Sequence, residues 1–318
     1  MTATLERGSK PLRRRRRTTD LDAPTGLVDG GVVVGPQPGP PPWPVTSLQL
    51  LAVVLLRFLV SVAVVGPLQH GRTQTMLRAE LRLQLAEATA PVGQTDLSGQ
   101  LLAFGTPLAV LRIPRLGIDE VVAEGTTSQV LKGGPGHLRS TVLPGQAGVS
   151  VLMGRQAGFG GSFARIDELA AGDMITVLTG QGEATYRVAG QRLEGFPLPP
   201  PLAASQGRLT LVTATGTPFA PSGVRRVDAQ LVSAPQVAPA LVLGAAGLTA
   251  PEQPMRGDGS ALVVVVLAGQ ALLGAVVLLV WAATRWGRRQ AWVVGVPVLL
   301  LLGVTVSDAA SRLLPNLF

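Results

Sequence analysis

The sequence predicts an all-β domain lying outside a membrane, carried by one spanning helix before it and a helical hairpin after it. Three observations lead there. The 318-residue chain is 47% hydrophobic and only 14% charged, with a mean hydropathy of +0.38, more apolar than one soluble core accounts for. Three long apolar runs hold the excess. Between the first and the second lie seven or eight short segments rich in Val, Ile, Leu and Thr, separated by Gly and Pro.

Residues 1–44 read as a basic, Pro/Gly-rich cytoplasmic tail. The chain carries 27 basic and 19 acidic residues, a net charge of +8, and Arg7, Lys10 and Arg13 to Arg17 put much of that charge ahead of the first apolar run. Five adjacent guanidiniums make a field that attracts nucleic acid or anionic lipid. A topogenic signal touching membrane headgroups explains them without a nucleic-acid partner. The following GPQPGPPPWP reads as a disordered or polyproline-like linker.

Residues 45–66 are a transmembrane helix: about twenty residues at 1.5 Å per residue cross a hydrocarbon core roughly 30 Å thick. The run is too long for a signal peptide's apolar core and no A-x-A site follows it. Arg57 lies near its centre at a cost of at least about 2.5 kcal/mol. It either snorkels to water or meets a polar partner such as Gln270 or a separate protein. Residues 67–107 hold a juxtamembrane helix, Thr73 to Ala88, with Met76, Leu77, Leu81 and Leu85 along one stripe, read as a spacer or weak coiled coil, and a linker.

Residues 108–234 form the β domain, with a short helix expected at Phe163 to Leu169. A linker, 235–259, leads to a second transmembrane helix over 260–283, a cytoplasmic turn over 284–290, a third helix over 291–306 containing Pro297, and an outer tail, 307–318. Orientation follows from lysine and arginine: Arg13 to Arg17 and the turn's Arg285, Arg288 and Arg289 belong inside, which places the β domain outside the cell membrane. Trp43, Trp281, Trp286 and Trp292 all fall near the expected interfaces. No cysteine is present and the histidines are His70 and His137 alone, which excludes disulfides, thiolate metal sites and a cysteine nucleophile. No metal or cofactor is expected, since the carboxylates Asp119, Glu120, Glu124, Asp167, Glu168 and Asp173 follow no cation-loop spacing.

Five segments in sequence, LRIPRLGIDEVVAEG from Leu111, KGGPGHLRSTVLPGQAG from Lys132, SVLMG from Ser150, SFARIDELAAGDMI from Ser162 and LTLV from Leu209, resemble the successive strands and turns of sortases. These are membrane-anchored cysteine transpeptidases of Gram-positive bacteria, and the likeness is to the class D and E types of actinobacteria. The resemblance covers roughly Leu108 to Ala234 and implies an eight-stranded β-barrel. It implies a cysteine after LTLVT and a histidine after MG, but this chain has Ala214 and Arg155 there. The family's arginine on the following strand corresponds to Arg225 or Arg226, and a one-residue difference on a strand reverses the face. Thr213 and Thr215 flank Ala214 without an evident base, and His137 sits in GPGH, which is not the family's catalytic position.

The reading is therefore a catalytically inactive sortase-like membrane protein that binds or scaffolds an exported or cell-wall protein. A transpeptidase with a non-standard nucleophile or a complementing subunit is one alternative; a subunit of an export or envelope-assembly complex is the other. The family's peptide groove, bounded here by Gly190 to Gly207 and Ala214 to Val224, implies Phe196, Leu198 and Phe219 as apolar walls beside Arg155, His137 and Arg226. The ligand expected is an extended peptide with apolar side chains and an acidic group or a C-terminal carboxylate. The oligomeric state has no signature in the sequence.

Overall fold

The structure is a computed structural model that describes residues 66–217, 220–285 and 287–318. The basic tail, the first apolar run with Arg57, Trp43, Trp286 and Phe219 lie outside the described residues. The described chain begins with α1 (Gly66–Ala86), followed by β1 (Pro107–Ile113), β2 (Ile118–Glu124), α2 (Ser128–Leu131), β3 (Gly136–His137), β4 (Gly148–Met153), β5 (Met174–Thr179), β6 (Gly182–Leu193), β7 (Gly207–Thr217) and β8 (Ala220–Leu231). Two long helices, α3 (Ala261–Arg285) and α4 (Arg288–Leu313), complete it.

The strands close into a barrel in the order β1-β2-β3-β4-β7-β8-β6-β5, so the expected eight-stranded fold is the one observed. Closure leaves no free sheet edge. Leu111, Ile113, Ile175, Val177, Tyr186, Leu209, Leu211, Val227 and Ala229 fill its interior with Phe163 and Ile166. The helix expected at Phe163 to Leu169 is a single 3-10 turn, Ile166–Glu168. The loop expected at Ala214 to Val224 is instead a paired ribbon, with Ala214 opposite Val224 and Thr215 opposite Gly223 before a register shift at Gly216. Gly216 has φ 101°, a left-handed geometry that lets the ribbon bend there.

α1 begins seven residues before the expected Thr73 and is not a free spacer. Leu81 packs with Val110 and Val121, supported by Leu77, Leu85 and Leu178, so the helix covers the outer face of β1 and β2. Met76 points away and is exposed. Buried Gln74 fastens the helix to the barrel: its amide donates to the carbonyls of Val121 (3.1 Å) and Gly133 (2.8 Å) and accepts from the Val121 N–H (2.7 Å).

α3 and α4 pack as an antiparallel hairpin and are long and apolar enough to cross a membrane over Ala261–Ala282 and Arg289–Leu313. Gln270 is exposed on α3. α4 runs past the expected boundary at 306, because Ser307 to Leu313 continues in helix stabilised by an Asp308–Arg312 pair at i, i+4. Of the tail expected over 307–318, residues 307–313 are helix and the rest is folded against the barrel.

Candidate functional site

Parallel pairing of β4 with β7 sets Met153 opposite Val212, and the ladder continues one residue further through the Gly154 N–H to the Val212 carbonyl at 3.0 Å. Gly154 is required there, because a Cβ would run into the Phe163 ring. This register brings Arg155, just past the end of β4, level with Thr213 and Ala214 on β7.

Residues directly opposed across an antiparallel ladder share a face. Arg226 opposes Val212 and Val224 opposes Ala214, so Arg226 stands on the outer face with Ala214. Arg225 opposes Thr213, on the other face, and donates to the side chain of Gln191 at 2.8 Å. On the Arg226 face, Arg192 pairs with Asp228 at 2.6 Å, and Thr210 donates to the same carboxylate at 2.7 Å. Partial burial and then the Arg192 charge lower the Arg226 pKa, against the opposing pull of Glu194 and Asp228.

Over Ala214 lies an apolar cluster of Leu131, Met153, Val212, Ala214, Val224 and Leu317. Ala214 is 1% exposed and Leu317 0%. The occupant of this face is therefore the segment that follows α4, Leu314–Phe318, which leaves the helix in extended geometry (Leu314 φ −65°, ψ 150°). Burying a leucine side chain contributes about 1.5–3 kcal/mol toward seating the segment.

Polar contacts fix that segment along its length. The Asn316 N–H donates to the Arg256 carbonyl at 2.9 Å, and the Asn316 side-chain amide donates to the carbonyls of Thr126 (2.8 Å), Gln253 (3.0 Å) and Pro251 (3.3 Å). The Leu317 carbonyl accepts from the Gln156 N–H at 2.9 Å. Arg155 donates from Nη1 to the Phe318 main-chain oxygen at 2.8 Å and from Nη2 to the carbonyl and hydroxyl of Ser128. Arg155 is 0% exposed, and burial lowers its pKa to about 10. It remains charged at neutral pH. The ring of Phe159 lies 5.1 Å from the Arg155 guanidinium and 5.3 Å from the Lys132 ammonium, a cation–π contact with each.

Above the segment, the end of α4 is tied to α2. Lys132 pairs with Asp308 at 2.8 Å, and the Ser128 hydroxyl donates to the Ser311 carbonyl at 3.2 Å. Burial lowers the Lys132 pKa, although the hydrogen bond and charge of Asp308 oppose the shift.

The other expected groove residues lie elsewhere. His137 is buried, with Nδ1 2.8 Å from Glu124 and Nε2 3.0 Å from the Val142 carbonyl, so it braces β2 against β3 and the turn after it. Phe196 (60% exposed) and Leu198 (82%) project from the loop after β6 and do not line the cluster. The bounding walls are instead α2 with the loop before it, the stretch after β4, and residues 249–257. Sequence reasoning missed Ser128, Leu131, Arg256, Asn316 and Leu317. The one available signal was a short polar-apolar segment after a long apolar run, which says nothing about where it docks.

A family model described as the sortase domain matches residues 111–227. Sortase D of Bacillus subtilis (strain 168) is 29% identical over 125 residues, which cover 38% of this chain and 62% of that relative. The chain thus spans less than two thirds of the relative's length. Among solved structures, the Sortase D5 transpeptidase of Clostridium perfringens is 21% identical and aligns over 51% of this chain and 99% of its own, with a TM-score of 0.42. Sortase E1 from Streptomyces coelicolor, solved with a tripeptide in its active site, is 26% identical over 41% of this chain and 90% of its own, with a TM-score of 0.35.

Proposed function

We propose that residues 111–227, which the sortase-domain model matches, make the chain a catalytically inactive member of that family, anchored in the cell membrane, whose groove serves to bind an exported or cell-wall protein in extended form. One observation carries the reading: Ala214, the position the family resemblance gives to the nucleophile, is a methyl group buried in the apolar cluster that also holds Leu317. A methyl group has no lone pair with which to form an acyl intermediate.

The neighbouring alcohol does not replace it. The Thr213 hydroxyl is buried and donates to the Gly154 carbonyl at 2.9 Å, on the face away from Ala214. Both histidines of the chain are engaged elsewhere, His137 with Glu124 and His70 with Glu120 at 3.2 Å. Arg155, where the resemblance puts a histidine, is a buried cation that holds its proton up to about pH 10.

The membrane arrangement follows the positive-inside reading. The Asp258 N–H bonds the Arg312 carbonyl, which brings the start of α3 beside the end of α4 at the barrel. The 25 residues of α3 then put Arg285 roughly 37 Å away, a bilayer's thickness. In this reading the amino terminus and the hairpin tip are cytoplasmic and the barrel is outside.

The test uses the full chain in detergent micelles, incubated with a sorting-signal peptide and an amine acceptor. Neither cleavage nor a covalent adduct is expected by mass spectrometry. Turnover by the unmodified chain above a buffer control overturns the proposal.

A further inference from the structure

The groove over Ala214 is full, and its occupant reports what the groove recognises. Three features of Leu314–Phe318 are read. The main chain is held on both sides, by Arg256 through the Asn316 N–H and by Gln156 through the Leu317 carbonyl. The Asn316 amide meets three carbonyls, those of Thr126, Pro251 and Gln253, an arrangement that accepts N–H donors and repels a carboxylate. The side chain that follows enters the apolar cluster of Leu131, Met153, Val212, Ala214 and Val224.

Two of the three carbonyls that meet the Asn316 amide, those of Pro251 and Gln253, come from residues 249–257, outside the matched domain. That stretch is itself held in shape. Glu252 and Thr249 form a reciprocal cap, and the Thr126 hydroxyl donates to the Glu252 carbonyl at 2.6 Å. The three carbonyls are thus positioned by the fold, not by the asparagine alone.

Resting on the reading of this groove as a binding site, we propose that Leu314–Phe318 is an intramolecular occupant of it, and that the ligand it gives way to is an extended segment of another exported polypeptide bearing an asparagine followed by a large apolar residue. A second copy of this chain does not supply that segment. Only Leu314 and Pro315 separate α4 from Asn316, a reach of about 7 Å, while two packed helices stand about 8–10 Å apart between axes before any barrel is crossed. Without unwinding α4, the segment reaches only its own groove.

The proposal sets a definite experiment on the full chain in lipid nanodiscs. Leu317→Asp drives a carboxylate out of the apolar cluster and releases the segment; Asn316→Ala, a milder change, releases it if Leu317→Asp fails to fold. The probe is a fluorescent pentapeptide copying Leu314–Phe318, with versions carrying aspartate at the asparagine position or at the first apolar position after it. A site occupied 99% of the time binds a competitor about a hundredfold more weakly than an open one. Release is therefore expected to strengthen anisotropy-measured binding by about that factor, with both aspartate peptides remaining weak.

Unchanged binding on release by a folded variant overturns the proposal, as does equal binding of the three peptides. Mass doubling of the released chain in light scattering, dependent on residues 314–318, overturns the choice of partner. These results leave the inactive-enzyme reading untouched, since that reading fails only through turnover by the unmodified chain.

Discussion

Arg155 and Phe318, 163 residues apart in sequence, are joined by a 2.8 Å hydrogen bond from the guanidinium to a main-chain oxygen. The same guanidinium holds both oxygens of Ser128. One buried cation thus joins the end of β4, the start of α2 and the segment after α4.

Replacing that cation separates its electrostatic role from its bulk. Arg155→Met keeps comparable volume but removes the donor to three buried oxygens, those of Ser128 and the main-chain oxygen of Phe318. Denaturant unfolding of the chain in detergent should show a loss of about 1–3 kcal/mol. Arg155→Glu sets a carboxylate against three oxygens and should cost more than about 3 kcal/mol. Equal losses for the two variants contradict the hydrogen-bonded geometry.

Ala214→Cys introduces the sole thiol of a cysteine-free chain, in the apolar cluster that also holds Leu317. Its labelling by a maleimide should be about a hundredfold slower than that of Leu198→Cys, because the segment over it must first open. Combining it with Leu317→Asp should bring the two rates together. The single Ala214→Cys variant should remain catalytically silent, since Arg155 is no proton shuttle at neutral pH. Fast labelling of the single variant shows that the groove is open.

Tyr186 is the only tyrosine, so the tyrosinate absorbance of the whole chain reports one group. Burial raises its pKa to about 12, although its hydrogen bond with the Gly145 N–H pulls the other way. The native chain should titrate near pH 12 and the unfolded chain near 10. The sign follows: the unfolded chain loses its proton first, so the stability this group contributes is intact below pH 10 and is lost as pH rises from about 10 to 12. Arg155 acts in the opposite sense over an overlapping range, which makes absorbance the cleaner readout. A native midpoint near 10 contradicts the buried placement.

In intact cells, an impermeant maleimide should label Leu198→Cys but neither Gln290→Cys, at the hairpin tip, nor Ser9→Cys. Ser311 is a poor reporter of sidedness because it is 1% exposed against α2. Labelling at Gln290 reverses the hairpin.

Seven strands were legible because each is a run of alternating or continuous apolar residues between Gly and Pro. β3 was not, since Gly136–His137 is two residues long and gains its strand geometry from neighbours on either side. The β7–β8 ribbon past Ala214 was hidden by ATGTPFAPSG, whose composition reads as loop while its pairing is set by the strands feeding it. At the site, the likeness to known segments located Ala214 and Arg155, and pairing register then placed Arg226 rather than Arg225 on their face. The docked segment left no local trace. Asn316 finds its acceptors at positions 126, 251 and 253, and a contact across such separations is decided by tertiary packing, not by periodicity.

The short connection between α4 and Asn316 has a thermodynamic corollary. A ligand tethered by two residues competes at a local concentration in the millimolar range or above, whatever the amount of protein in the sample. Dilution cannot empty the groove. Assays at micromolar peptide would therefore report an unresponsive protein even where the groove is fully competent, and a natural partner must either bind tightly enough to match the tether or first disengage Asp308 from Lys132.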